Sequence, residues 1–392
     1  MNIIEAKSSI KKILSKFSKD SHNIFTPFEL CEEMLDMIPN LSKDELVLVL
    51  NIEFIYLLRQ KFGKDNMKNV WFLTPCEFKK RTAISLGINQ NQIIKCSYKD
   101  KQIINRVKMP KFHAVIGNPP YQGNLYTEFL NLAYDISSKY VLMVHPGTVY
   151  MNEKQNKRQN VEIEYIKKVR NKIERLIILN GNKEFENIAL WVPLVVTLID
   201  KGKNTPEISV KDKTRNQSYT YERIDKINKW GNSELYFGLK EKILKQCEVD
   251  NLQNHFNYAY YMKEQKDAPY YVNLSQLRGH MSKDKNKIFS DDFYTFVPRD
   301  RKVDTERSDM LYFCFDDEVN AENFLGYIKG KFARFALSIY KINMALHRGE
   351  LKAIPWLDFN EGWNNEKLYK HFELSEDEIE FIEENIPNYY KY

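Results

Sequence analysis

The chain has 392 residues, 43% of them hydrophobic and 13% aromatic, with a formal net charge of +6. That excludes a disordered or low-complexity chain and leaves room for two domains with substantial cores. The mild positive charge permits a nucleic-acid partner without demanding one, and five scattered cysteines without a CxxC pair support neither a zinc site nor a disulfide framework.

The first stretch, residues 1–18, sets lysines against Ile and Leu at helical spacing and predicts a short amphipathic helix. It lacks an apolar signal core, and no later run reaches the length of a membrane span, so a cytoplasmic protein is expected. Phe25-Thr26-Pro27 then opens a helix over 28–37, with Thr26 suited to the N-cap and Pro27 to the first helical position. Strands are expected at 45–50, 70–73 and 92–96, and helices over 54–61 and 78–86. A fourth strand, ending in Ala114-Val115-Ile116, runs into Gly117-Asn118-Pro119-Pro120-Tyr121. A helix over 126–138 and strands at 140–144, 176–179 and 191–199 follow. This alternation predicts an α/β fold, a Rossmann-like, mostly parallel sheet with helices on both faces. Lys201 to Pro206 reads as a boundary loop. Beyond it the segments are shorter and more polar, which predicts a smaller mixed α/β domain over 201–392. That domain carries a long helix over 322–340 and a closing helix at 375–386 that starts in a capping box at Ser375.

The turn at 117–121 carries the chemistry. Two consecutive prolines stiffen the backbone, and Asn118, preceding one of them, is pushed toward the extended region. Its side-chain oxygen and the Pro119 carbonyl are two acceptors on one rigid turn, suited to a planar amine with two hydrogens. Tyr121 offers a flat face for a heterocycle. An aromatic ring with an exocyclic amine, such as adenine, satisfies all three.

Gly-Asn-Pro-Pro-Tyr after a hydrophobic strand resembles the catalytic motif of gamma-class N6-adenine DNA methyltransferases of restriction-modification type. Phe25-Thr26-Pro27 before a helix resembles that family's N-terminal cofactor-contact motif, and Lys183 to Asn187 before the 191–199 strand resembles the segment that carries a base-holding aromatic, here Phe185. The resemblance spans about residues 23–200. It implies a catalytic domain over 1–200 and a target-recognition domain over 201–392. The substrate is double-stranded DNA with the target adenine flipped out of the stack. Asn118 and Pro119 grip its amine, Pro120 stiffens the turn, Tyr121 and Phe185 stack on the base, and S-adenosylmethionine gives the methyl group. A restriction endonuclease or second methyltransferase subunit is an implied partner.

Three cofactor landmarks of that family are altered. The glycine-rich turn after the first strand is replaced by Asn51-Ile52-Glu53-Phe54, the acid after the second strand is offset to Glu77, and Ser97 stands after the third where an Asp is expected. In one reading the enzyme is active and Asn51, Glu53, Glu77 and Ser97 supply polar cofactor contacts beside Phe25, Thr26 and Pro27. In the other the cofactor site is lost and the chain binds DNA, or serves as a regulatory subunit, without methylating it. Lysines and arginines at 154–170, Arg299, Arg301 and Lys302, and His347-Arg348 are candidate DNA contacts that more commonly form solvated faces or ion pairs. His113 and His145 flank the strand ends and more commonly serve packing. No His/Cys/Asp/Glu cluster has metal-ligand spacing, and no metal is expected.

Overall fold

A computed structural model describes residues 25–95, 111–121, 125–151, 160–179, 184–185, 193–228, 230–231, 233–258, 270–274, 296–297, 311–341 and 348–386. The chain forms two compact units, Met1–Asn232 and Ser233–Tyr392. The expected helix at 1–18, Ser97, the basic residues 154–158 and 299–302, and His347 lie outside the described residues.

The first unit is built on a nine-stranded sheet of order β3-β2-β1-β4-β5-β7-β6-β8-β9. Its strands are β1 (Val47–Val49), β2 (Val70–Thr74), β3 (Ile93–Lys95), β4 (Phe112–Gly117), β5 (Ser137–Pro146), β6 (Ile173–Leu179), β7 (Leu194–Asp200), β8 (Ile208–Asp212) and β9 (Gln217–Tyr221). The first five run parallel, while β7 inserts antiparallel between β5 and β6. The α/β class with a mostly parallel sheet is therefore what the chain adopts. The sheet continues beyond residue 200, because β8 pairs parallel with β6 and β9 closes a hairpin on β8. Residues 201–232 thus belong to this unit, and the boundary falls after Asn232.

The central strands are apolar on both sides, as a doubly covered sheet requires. Val47, Val49, Ala114, Ile116, Leu142 and Val144 enter a core with helices α1 (Phe28–Asp36) and α2 (Ile52–Phe62). The alternate residues Leu48, Leu50, Val115, Val141 and Met143 enter a second core with α4 (Leu125–Ile136) and α5 (Asn160–Val169), on the other face. Helix α3 (Glu77–Ser85) follows β2 and gives Ala83 to the first core. β1 lies between β2 and β4, so chain direction across the sheet reverses there. That switch point, at the carboxyl ends of β1 and β4, is where open α/β sheets leave a crevice.

Two local expectations are corrected. The turn after β1 is not a loop: α2 begins at Ile52 with Asn51 as its N-cap, two residues earlier than the apolar pattern suggests. Helix α1 begins at Phe28 with Pro27 as N-cap, and no side chain caps it, so Thr26 is not the cap.

The second unit, taken by itself, carries a four-stranded sheet of order β10-β13-β11-β12, with described strands Asn257–Tyr258 (β10), Tyr270–Leu274 (β11), Phe296–Val297 (β12) and Leu311–Phe315 (β13). The described pairings are all antiparallel. Helix α6 spans Glu234–Val249. The long helix expected at 322–340 is two helices, α7 (Glu318–Lys329) and α8 (Lys331–Tyr340), broken at Gly330. A Cβ on Gly330 would lie 2.8 Å from Asn365 Oδ1 and 3.0 Å from the Tyr327 carbonyl, so the break also needs the missing side chain. Helix α9 covers Asn365–His371, and α10 (Glu376–Asn385) opens in the expected Ser375/Glu378 capping box.

Candidate functional site

The site forms where β1 and β4 end side by side. Their register sets Val49 against Ile116, and the Leu50 amide donates to the Ile116 carbonyl at 2.9 Å. One residue later the backbone ladder is replaced by a side chain. Asn51 Oδ1 accepts from the Asn118 amide at 2.6 Å, and Asn51 Nδ2 donates to the Asn118 carbonyl at 3.3 Å. The carboxamide thus makes the two bonds a paired strand residue would make, and holds the Asn118 backbone where Pro119 and Pro120 end the ladder. Asn51 holds the N-cap position of α2, but its side chain makes no capping hydrogen bond to that helix.

Gly117 makes this approach possible. A Cβ there would stand 2.5 Å from Leu50 Cβ and 3.0 Å from Asn51 Oδ1. The requirement is steric, from a neighbouring strand end.

The Asn118 side chain is 7% exposed, and its two ends differ. Nδ2 donates to Thr26 Oγ1 at 3.1 Å. Oδ1 is buried with no hydrogen-bond partner among the described residues. A buried amide oxygen without a donor costs on the order of 1–3 kcal/mol, so a ligand donor placed there recovers a real term. Thr26 is itself fully buried, and its backbone amide donates to Glu53 Oε1 at 2.9 Å. Burial raises the Glu53 carboxyl above the ordinary range, while the charge of Lys79 and the amides of Glu53 and Thr26 pull it back. Tyr121 is half-buried against both cores, its hydroxyl 3.4 Å from the Val144 carbonyl, and burial raises its phenol well above the usual value.

The structure therefore brings together Thr26, Asn51, Glu53 and Asn118. Pro119 and Pro120 are buried beside them. Phe25 packs on the first core and meets Phe28 edge-on, with ring centroids 5.5 Å apart. Glu77 stands apart as the exposed first residue of α3, held by Lys95 Nζ at 3.2 Å and Lys80 Nζ at 4.0 Å. Those contacts, Lys95 foremost, lower its carboxyl pKa. Phe185 is not displayed for stacking: it is 1% exposed, in the hydrophobic cluster that includes Leu179 and Leu194. Its ring would have to leave that core to meet a base. Among the basic candidates, Lys168 is tied to Asp135 at 2.8 Å, as a surface ion pair.

A buried polar set beside β5 was not read as such from the sequence. His145 Nε2 lies 3.0 Å from Thr197 Oγ1, and Nδ1 lies 3.0 Å from the Pro146 carbonyl. Tyr126 stacks on the imidazole, and Tyr150 meets it edge-on while bonding Tyr165 at 3.0 Å. Burial pushes the His145 pKa down to about 4. His113 instead lies 3.1 Å from Glu45 at the opposite end of the strand. No signal in the sequence pairs His145 with Thr197, which are brought together only by β7 inserting beside β5.

Of the residues expected to hold a methyl donor, Asn51, Glu53 and Glu77 are engaged by other groups. Both polar atoms of Asn51 are on the Asn118 backbone, and a Glu53 oxygen is on Thr26. Ile52 and Phe54 are core residues where a glycine turn would admit a ligand, and Glu77 is paired with lysines.

No protein-family model and no curated protein matches the sequence. Solved structures do. The methyltransferase subunit of a type I restriction-modification system from Streptococcus thermophilus is 14% identical over 50% of this chain and 50% of its own, with a TM-score of 0.38. The type I restriction enzyme EcoKI M protein is 16% identical over 48% of each chain, with a TM-score of 0.37. The type IIG restriction endonuclease BpuSI is 11% identical over 94% of this chain and 62% of its own, with a TM-score of 0.41. The matches to the first two span about half the length of each. Among the described residues no helix is long and apolar enough to cross a membrane.

Proposed function

We propose that this chain is a DNA adenine-N6 methyltransferase of restriction-modification type, acting on an adenine flipped out of the duplex, with S-adenosylmethionine as the methyl donor. The observation that carries this reading is Asn118 Oδ1, a buried acceptor without a partner among the described residues, on a stiff turn at the sheet's switch point. In it, Asn118 Oδ1 and the Pro119 carbonyl accept the two N6 hydrogens. This localises the nitrogen lone pair, and Tyr121 packs against the ring. These groups position and polarise the amine without a general base. Double-stranded DNA is the partner, read by the unit after Asn232, with an endonuclease or second subunit as companion.

The donor supplies an electrophilic methyl group. Because Asn51 and Glu53 are committed to the turn, no step is derived through it. This reading requires the donor to be met by backbone and by residues other than that pair. The same commitment favours a second reading, in which the chain grips a base and leaves methylation to a partner.

The test is transfer of a labelled methyl group to mixed-sequence, unmethylated duplex DNA, with N6-methyladenine as the product and Asn118→Ala as the inactive control. No binding of S-adenosylmethionine by calorimetry at millimolar ligand ends the enzyme reading. The second then predicts DNA affinity that persists without cofactor and falls steeply with salt.

A further inference from the structure

We infer that Thr26 and Glu53 together form an orienting device that fixes which end of the Asn118 carboxamide faces the substrate amine. The inference rests on the adenine-amine reading above and assigns the polarity of that site to two residues that do not touch the base.

A carboxamide is nearly symmetric in shape and opposite in chemistry at its two ends. With Oδ1 toward the substrate, Asn118 accepts an N–H from the amine. Flipped by 180°, it presents an NH₂ to another NH₂, and the grip becomes a repulsion. The prolines fix the backbone and leave this side-chain flip undecided. Asn51 does not decide it either, since it holds only the Asn118 backbone.

What touches the far end of the amide is Thr26 Oγ1, 3.1 Å from Nδ2. A hydroxyl can accept or donate, so alone it would satisfy either orientation. The asymmetry comes from behind it. Glu53 Oε1 takes the Thr26 amide at 2.9 Å, which places a fully buried carboxylate on the Thr26 side of the carboxamide. In its ionised form and in a low-dielectric surrounding, that carboxylate favours the positive NH₂ end nearby and turns the carbonyl end away from Thr26. Helix α2 starts at Ile52, so Glu53 sits in its first turn, where a carboxylate is also favoured by the helix dipole. The missing glycine turn and the polarity of Asn118 thus have one cause: the residues after β1 are used to build the turn.

The test compares Thr26→Val, which removes the hydroxyl at constant shape, Thr26→Ser, which restores it, and Glu53→Gln, which keeps an acceptor for the Thr26 amide and removes the charge. The first readout needs no ligand. In protein labelled with ¹⁵N-asparagine, the Asn118 side-chain NH₂ is identified by its loss in Asn118→Ala. Its solvent exchange is slow in wild type and in Thr26→Ser, and at least tenfold faster in Thr26→Val. The second is the ratio of affinities for deoxyadenosine and for purine deoxyriboside, which lacks the amine. That ratio falls about tenfold in Thr26→Val and about threefold or more in Glu53→Gln, with affinity for the amine-less probe unchanged. Thr26→Ser stays near wild type. Unchanged amide exchange and an unchanged ratio in Thr26→Val and Glu53→Gln overturn the inference. A wild type that does not distinguish the two nucleosides overturns the adenine reading instead, and the exchange measurement still decides the orienting role. Where methyl transfer is measurable, the device acts on kcat more than on KM for DNA, whereas a general loss of fold moves the melting temperature of Thr26→Ser as well.

Discussion

Replacing Gly117 by alanine tests whether the close approach of two strand ends holds the turn. The added Cβ would lie 2.5 Å from Leu50 Cβ, 2.8 Å from Leu50 Cγ and 3.0 Å from Asn51 Oδ1. Carbon atoms at rest sit about 3.5–4.0 Å apart, so β1 and β4 must separate by about 1 Å at this end. The atom in the way is a Cβ, fixed to the backbone, and a rotamer change does not clear it. Overpacking of this kind costs about 1–3 kcal/mol. The same separation stretches the 2.6 Å bond from the Asn118 amide to Asn51 and exposes a buried donor, adding about 1 kcal/mol. A total of about 2–4 kcal/mol lowers the melting temperature of a unit this size by about 5–15 °C. The assay is thermal unfolding followed by circular dichroism, with Gly326→Ala as the control. At Gly326, inside α7, nothing lies within 4 Å of the added methyl and alanine is expected to be neutral or stabilising. A Gly117→Ala protein that melts within about 2 °C of wild type refutes the argument that this glycine serves the approach of Leu50 and Asn51.

Asn51→Ala removes both bonds to the Asn118 backbone and leaves a buried N–H and C=O unpaired, for an expected loss of about 1–3 kcal/mol in urea unfolding, while Asn51→Asp keeps an acceptor for the shorter bond and is expected to lose less. Stability should also fall in mild acid through His145. Its pKa is about 4 folded, against an ordinary 6.5, so the unfolded chain binds the proton first and stability is lost as pH drops from 6.5 toward 4. Linkage sets the full loss at about 3 kcal/mol, read from urea unfolding between pH 7 and pH 4, and His145→Gln should flatten that part of the profile.

Much of the first unit was legible because its strands are short apolar runs whose period and punctuation leave few alternatives. Ala114-Val115-Ile116 followed by glycine and two prolines could hardly be anything but a buried strand ending in a rigid turn. The hairpin of β8 and β9 was missed because its signal is weak. Only Ile208, Val210 and Asp212 of β8 and Tyr221 of β9 are buried, and the loop between the strands relies on Asn216 at φ 54°. The break at Gly330 was missed because the apolar stripe runs on across it, and the Asn365 side chain that accepts from the Phe332 amide just after the break is far away in sequence. At the site, residue types were readable and their partners were not. Thr26 looked like an N-cap because its local sequence fits one, yet its hydroxyl goes to Asn118, 92 residues on. Asn51 looked like a cofactor ligand because of where β1 ends, yet its carboxamide completes the ladder to a strand more than sixty residues later. Side chains that replace backbone pairing leave no periodic trace.

That double use of Asn51 also separates the two functional readings. If Asn51 were a ligand of the methyl donor, it would have to release the Asn118 backbone when the donor enters, and binding would be opposed by the loss of two buried hydrogen bonds, about 1–3 kcal/mol. If it is a clamp only, the donor meets a turn that is already set. A ligand that binds the folded chain alone raises its stability by RT ln(1 + [L]/Kd), about 2.7 kcal/mol at a hundredfold excess over Kd. Titrating S-adenosylhomocysteine against wild type and Asn51→Ala and following the melting temperature gives Kd for each. The clamp predicts the same Kd in both proteins, on top of a lower starting melting temperature in the variant. A Kd at least tenfold weaker in Asn51→Ala makes Asn51 a ligand and refutes the clamp. The absence of any shift in either protein leaves the turn as a base-gripping element whose methyl donor belongs to another chain.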